Sequence, residues 1–88
     1  MFYVYLLKNR EGLIYVGYSS DLRQRLKDHN FGRSDFTKVG RPWKLVYYEA
    51  YLSRTDAIKR EGSIKEYGSI IGQLKKRITN SLGWKAEP

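Results

Sequence analysis

Phe2-Tyr3-Val4-Tyr5-Leu6-Leu7-Lys8, then Asn9-Arg10-Glu11-Gly12, then Leu13-Ile14-Tyr15-Val16-Gly17-Tyr18 is the stretch on which the fold turns. Both flanking runs are rich in aromatic and β-branched residues, which suit a half-buried pleated surface, so both are predicted strands. Gly12 is the natural left-handed residue of a three-residue loop with a bulge, which makes the pair a hairpin. In that register Tyr5 and Tyr15 have the same side-chain parity and share a sheet face, and Tyr3 joins them. Packing alone accounts for most strand tyrosines, and Tyr18, Tyr47, Tyr48 and Tyr51 are read that way. The cluster on the hairpin nevertheless offers phenolic hydroxyls that can bind a phosphate or relay a proton.

Working outward, residues 44–51 (KLVYYEAY) read as a third strand. Helical pattern covers about 21–30, with Ser20 as the expected N-cap and Gly32 just past the end. It returns at 54–67, where Ser53 and Asp56 form a weak capping box. It returns again at 69–82, where Ile70, Ile71, Leu74, Ile78 and Leu82 share a face before Gly83. The order is β-β-α-β-α-α, a small three-stranded antiparallel sheet flanked by helices, an α+β fold. Residues 31–42 make a long loop that Arg33, Lys38 and Arg41 render basic. Loops of that length in a small domain are usually functional.

The chain of 88 residues suits one domain, expected to span 1–88, with no repeats or linkers to divide it. Cysteine is absent, which rules out a disulfide framework or a thiolate metal site. No apolar run approaches the roughly 20 residues of a membrane span, and the opening FYVYLL lacks the features of a signal peptide. A soluble, cytoplasmic protein is the expectation. Seventeen Lys plus Arg stand against nine Asp plus Glu, a net charge of +8. Such an excess is the footprint of a polyanion binder, because basic side chains on phosphates release condensed counterions. No segment reads as a basic amphipathic helix, so nucleic acid is preferred over a membrane surface.

Three residues stand where packing alone would not put them. Ala57, Glu61 and Ile64 fall on one helical stripe, which would set the Glu61 carboxylate at the core edge. The alternative rotates the helix so that Ile58 leads the packing and Glu61 pairs with Lys65 at the surface. In the first helix Leu22 and Leu26 mark the buried face, bordered by Arg25 and His29 on one side and Arg23 on the other. The spacing does not choose between the two arginines, since either can cover the core edge with its stem. His29, the single histidine, can equally serve as a hydrogen-bonded residue on the helix C-terminal dipole.

Tyr3-Val4-Tyr5, a short turn and Tyr15-Val16-Gly17 together resemble the two signature tripeptides of the GIY-YIG nuclease superfamily. Asp21-Leu22, Arg25-Leu26, His29, Arg60-Glu61 and Ile64-Lys65 follow in the family's order, over roughly residues 2–67. The chain looks most like the small stand-alone bacterial members. It is more distantly similar to the N-terminal nuclease domain of the bacterial excinuclease, which sets DNA repair among the expected processes. The resemblance implies catalytic roles for Tyr5, Tyr15, Arg25, His29 and Glu61. One of the tyrosines activates water or relays its proton, Arg25 stabilises the phosphate in the transition state, and His29 assists proton transfer. Glu61 holds a divalent metal, Mg²⁺ or Mn²⁺. The pattern departs from the family at Tyr3, where a leading glycine is absent, at Val4 and Val16 in place of isoleucines, and at Tyr18, where some members carry lysine. No role carries over to Gln73.

The expected function is a metal-dependent endonuclease that hydrolyses phosphodiester bonds, in DNA first, as a monomer or weak dimer. So short a chain leaves little room for a sequence-reading domain, so weak sequence specificity is expected, with structure-dependent or single-stranded targets or targeting by a protein partner. Arg23, Arg33, Lys38 and Arg41 are the expected nucleic-acid contacts. The alternative is a non-catalytic nucleic-acid-binding module on the same scaffold, its exposed tyrosines serving as a stacking platform. A third reading, a protein-docking adaptor, rests on Trp43, Trp84 and the tail.

Overall fold

In the computed structural model, which describes residues 1–83, β1 (Phe2–Lys8) and β2 (Ile14–Ser19) pair antiparallel. Gly12 takes φ +85, as the three-residue loop requires, and the Asn9 side chain accepts from the Glu11 and Leu13 amides at 3.1 and 2.9 Å. β3 (Lys44–Tyr51) pairs antiparallel with the other side of β1, giving the order β2-β1-β3. The strand that opens the chain is therefore the centre of the sheet. It is also the strand with the longest unbroken buried run, Val4 to Leu7.

α1 (Leu22–Asn30) starts one residue later than the sequence suggests. Asp21, not Ser20, is its N-cap: the Asp21 carboxylate accepts from the Gln24 amide at 3.1 Å. The Ser19 hydroxyl accepts from the Asp21 amide, which steadies the turn into the cap. α2 (Arg54–Glu66) is capped by Ser53, whose side chain accepts from the Asp56 amide, as expected. The helix foreseen over 69–82 is broken. α3 (Gly68–Arg77) and α4 (Thr79–Leu82) meet at Ile78, whose φ −116 and ψ 33 are not helical. At the break the Thr79 hydroxyl donates back to the Lys76 carbonyl at 3.0 Å, an alternative to helix that short polar side chains offer. The foreseen order of sheet and helices otherwise stands, and the α+β assignment with it.

The sheet is covered on both faces. Val4, Leu6 and Val16 pack with Ala57 and Ile64 of α2 and Leu74 of α3. On the other face Tyr5, Leu7 and Trp43 pack with Leu22 and Leu26 of α1. The second cluster explains the basic loop of residues 31–42. Its Ser34 and Thr37 are buried, and the indole of Trp43 donates to the Thr37 carbonyl at 2.8 Å, so the loop packs over the hairpin. Trp43 is thus a core residue and not the docking anchor of an adaptor, while Trp84 lies outside the described residues.

α2 is held to the sheet by a clamp. The Arg60 guanidinium donates from Nε to Glu49 Oε1 at 2.9 Å and from a terminal nitrogen to Glu49 Oε2 at 3.0 Å. The hydroxyls of Tyr47 and Tyr51 donate to the same carboxylate, each at 2.5 Å. Burial would raise the Glu49 carboxyl, but the donors from Arg60, Tyr47 and Tyr51 outweigh it and hold it down at about 2. Tyr47 and Tyr51, read from sequence as plain packing residues, are acid-binding groups. Their i, i+2, i+4 spacing with Glu49 along one strand face was the available signal.

Candidate active site

The site is built on the face of the hairpin that α1 covers. Tyr5 pairs with Gly17 across the ladder and Tyr15 with Leu7, so both phenols stand on that face, as their parity requires. The Tyr5 ring lies across the backbone of Gly17. A Cβ on Gly17 would fall 2.3 Å from Tyr5 Cζ and 2.4 Å from its hydroxyl oxygen, so the glycine of the second tripeptide is the space the first tripeptide's tyrosine fills. Tyr3 shares the parity but not the site, because its ring packs edge-on against Tyr48 at 5.9 Å.

His29 is fully buried at the end of α1 and joins three elements. Its Nε2 lies 2.7 Å from the Tyr5 hydroxyl, and its Nδ1 lies 2.5 Å from the Thr37 hydroxyl of the loop. The Tyr15 ring meets it edge-on at 5.0 Å between centroids, with Trp43 beyond at 6.4 Å from Tyr15. Burial first, and the Arg25 charge second, lower the imidazole to about 4, so at neutral pH it is uncharged. One ring nitrogen then donates and the other accepts. His29 is thus a hydrogen-bonded residue of the last turn of α1, as the packing reading of the sequence has it, and it also lies against the phenols, as the resemblance implies.

Arg25 is the arginine that reaches the phenols. Burial would lower its pKa, but interactions with Tyr5 and Tyr15 raise it, and its side chain remains 35% exposed. Arg23 lines the opposite border of α1, as the helical wheel requires. Arg33 and Gln24 take the Asp28 carboxylate at 2.9 and 3.0 Å, while Arg25 stands 3.9 Å from its other oxygen. The neighbouring acid is thus largely occupied, and the Arg25 fork stays available to an outside anion.

Tyr5 is pushed up to about 12, chiefly by burial, with the Arg25 hydrogen bond opposing and the charges of Tyr15 and Glu61 adding. Tyr5 is 1% exposed, whereas Tyr15 is only partly buried and is the phenol of the pair that solvent can approach.

For Glu61 the helix rotation follows the first of the sequence's two readings, and the Lys65 pair of the second is kept. Ala57 and Ile64 are buried and Ile58 is 44% exposed, so the stripe containing Glu61 does face inward. Glu61 flanks it and pairs with Lys65 at 3.1 Å. It hydrogen-bonds to none of Tyr5, Tyr15, Arg25 or His29 among the described residues, and acts on Tyr5 through its charge. Tyr5, Tyr15, Arg25 and His29 form one cluster on the face that α1 covers. Glu61 belongs to α2, which packs on the opposite face of the sheet, and reaches Tyr5 through its charge alone. Of the loop cations, Arg33 stacks over Phe31 at 5.3 Å as well as pairing with Asp28. Arg41 donates to the Lys38 carbonyl at 2.9 Å. Both therefore also serve the loop's own conformation.

Comparison with known proteins gives the chain's family. The family described as the GIY-YIG catalytic domain matches residues 1–69. A UPF0213 protein of Staphylococcus epidermidis is 42% identical over 66 residues, covering 74% of this chain and 80% of that protein. A UPF0213 protein of Staphylococcus aureus is 44% identical over the same length and coverage. The solution structure of a UPF0213 protein from Bacillus halodurans superposes with a TM-score of 0.53 at 31% identity, covering 85% of this chain and 86% of the other. The hairpin phenols, the α1 arginine and the buried histidine thus sit in a chain that belongs to the GIY-YIG catalytic domain family, a nuclease family.

Proposed function

We propose that this chain is a divalent-metal-dependent endonuclease that hydrolyses phosphodiester bonds in nucleic acid, with DNA as the first substrate to test. The observation that carries the reading is the convergence of Tyr15 and Arg25 on a partly open surface, backed by a fully buried Tyr5–His29 pair. A partly exposed guanidinium beside phenols and without a tight acidic partner suits a phosphate. The overall charge of +8 suits the rest of the strand.

In this reading Arg25 binds and orients the scissile phosphate and offsets the charge that grows on its oxygens. Tyr15 reaches the attacking water or the leaving oxygen. Tyr5 and His29 are positioning residues: their hydrogen bond fixes the ring against which Tyr15 packs, and Thr37 fixes the imidazole from behind. The family generally uses a divalent metal, and the donor set fits one. Glu61 would hold it, as a single carboxylate suffices for a hard cation that keeps most of its water and takes substrate oxygens. When bound, the metal supplies Lewis-acid polarisation of the phosphate.

A second reading, a binder without catalysis, is favoured by one observation. With Tyr5 held protonated to about 12 and His29 lowered to about 4, the buried pair offers only a weak base at neutral pH. A cleavage assay on duplex, single-stranded, flap and branched DNA and on RNA, with Mg²⁺ or Mn²⁺, separates the two. Arg25→Ala and Glu61→Ala should each reduce cleavage by roughly 10²–10³-fold. Substrates left uncut by wild type, together with calorimetric metal binding that ignores Glu61, would leave the binder.

A further inference from the structure

On the side of α1 away from Arg25, a cavity of about 470 Å³ opens between the helix and the sheet. Tyr3 and Tyr48 line it, their rings 5.9 Å apart and inclined at 68°, a wall and a floor. Leu22, Leu26 and Leu45 make its apolar base, and Arg23 stands at its rim. Tyr48, read from sequence as a half-buried packing residue, is 53% exposed here. Nothing in the Arg25 site uses this space.

The lining narrows the occupant. An aromatic face and an aromatic wall over an apolar base call for a flat ring. Ser20 and the Asp21 carboxylate, also at the edge, offer acceptors to polar groups on that ring's rim. Arg23 has no ion-pair or hydrogen-bond partner among the described residues, so its charge is free for an anion joined to the ring. A flat heterocycle with a polar rim, tethered to phosphate, is a nucleotide unit, and the net charge of +8 favours a chain of them. The volume lies within the roughly 300–1,000 Å³ of sites that enclose small ligands. Position agrees as well. Tyr48 pairs with Tyr5 across the β1–β3 ladder, so the cavity and the Arg25 site share one sheet face on either side of α1. β3 and β2 are two strand spacings apart, about 10 Å, near enough for one strand of nucleic acid to touch both.

We propose that this cavity receives an unpaired nucleobase of the strand whose phosphate lies at Arg25, stacked on Tyr48 with Tyr3 as the wall at its edge, and with Arg23 on the adjoining backbone. Bases inside a duplex present no free face, so the cavity selects single-stranded segments. The proposal rests on the reading of the Arg25 site as a phosphate site, and its test uses binding without metal so that cleavage plays no part.

Four fluorescein-labelled probes serve in chelator: octathymidine, octauridine, an abasic deoxyribose-phosphate octamer of equal charge, and a duplex. Base-bearing single strands should bind roughly five- to a hundredfold more tightly than the abasic chain, as one or two stacked bases provide. Tyr48→Ala should erase that ratio while leaving the abasic affinity in place, and Tyr48→Phe should keep it. Tyr48 is exposed, so these variants should fold. Quenching of a 2-aminopurine placed along the wild-type probe gives a second readout that needs no variant. Equal affinity for base-bearing and abasic chains, duplex binding as tight as single-strand binding, or a ratio untouched by Tyr48→Ala would overturn the proposal. A base-dependent ratio in a protein that cuts nothing with metal would defeat only the nuclease reading. Cleavage without a base-dependent ratio would defeat only the cavity.

Discussion

Tyr5 and His29 are pinned in opposite directions by the same burial, the phenol towards about 12 and the imidazole towards about 4. Moving the proton from the phenol to the imidazole within the resting pair is therefore uphill. Neither group titrates between pH 5 and 9, so neither can shape a pH–rate profile in that window. His29→Gln should lower the rate yet leave the profile's shape between pH 5 and 9 unchanged; a lost acidic or basic limb would show that His29 titrates during turnover. Gly17 carries the other residue-scale prediction. Gly17→Ala would drive a methyl into the Tyr5 ring, and overpacking of this kind costs about 1–3 kcal/mol. Chemical denaturation should show that loss, and adding Tyr5→Phe to Gly17→Ala should not relieve it, because removing the hydroxyl leaves the ring carbons where the clash occurs. The signature glycine is legible in the sequence as a motif position, but its reason is a ring from the neighbouring strand.

Elements deliver these residues through two devices, one foreseen and one not. The hairpin was foreseeable because alternation and Gly12 set its register, and register alone puts Tyr5 and Tyr15 on one face. The Glu49–Arg60 clamp was not foreseeable in its full form, since it links β3 to α2 eleven residues on. Arg60 neighbours Glu61, so the clamp sets the rotation of α2 that brings Glu61 to the core edge. Arg60→Met should leave the Glu49 carboxylate partly buried without its cation, at a cost on the order of 2 kcal/mol, discounted for partial exposure. Activity should fall with it beyond the loss of folded protein, measured at a temperature where the variant is still folded. An unchanged specific activity would detach the clamp from the site. The break at Ile78 shows the limit of periodicity, because the apolar stripe runs on through α4 while the backbone does not.

At the scale of the whole molecule the site constrains stability against acid. His29 has a folded pKa of about 4, below its ordinary 6.5, so as pH falls through that window the unfolded chain gains a proton that the native state refuses. Stability is therefore full above about 6.5 and declines by on the order of 3 kcal/mol towards pH 4, a large share of a small domain's margin. Glu49, held at about 2 against its ordinary 4.5, adds a second loss from about 4.5 downward. Urea denaturation at pH 7, 5.5 and 4 should show the first decline in wild type and its absence in His29→Gln. The sequence by itself determined the three strands, the first two helices, the hairpin register, the basic charge and the family. All of these follow from local alternation, helical spacing, turn chemistry and motif order, which a linear chain carries without tertiary contacts. Motif order already singled out Arg25 over Arg23, but only the tertiary structure decided that Thr37 and Trp43 fold over His29 and that Glu49 locks α2. Each of those is a contact between residues of separate elements, and such contacts exist only once the sheet has closed between its two layers of helix and loop.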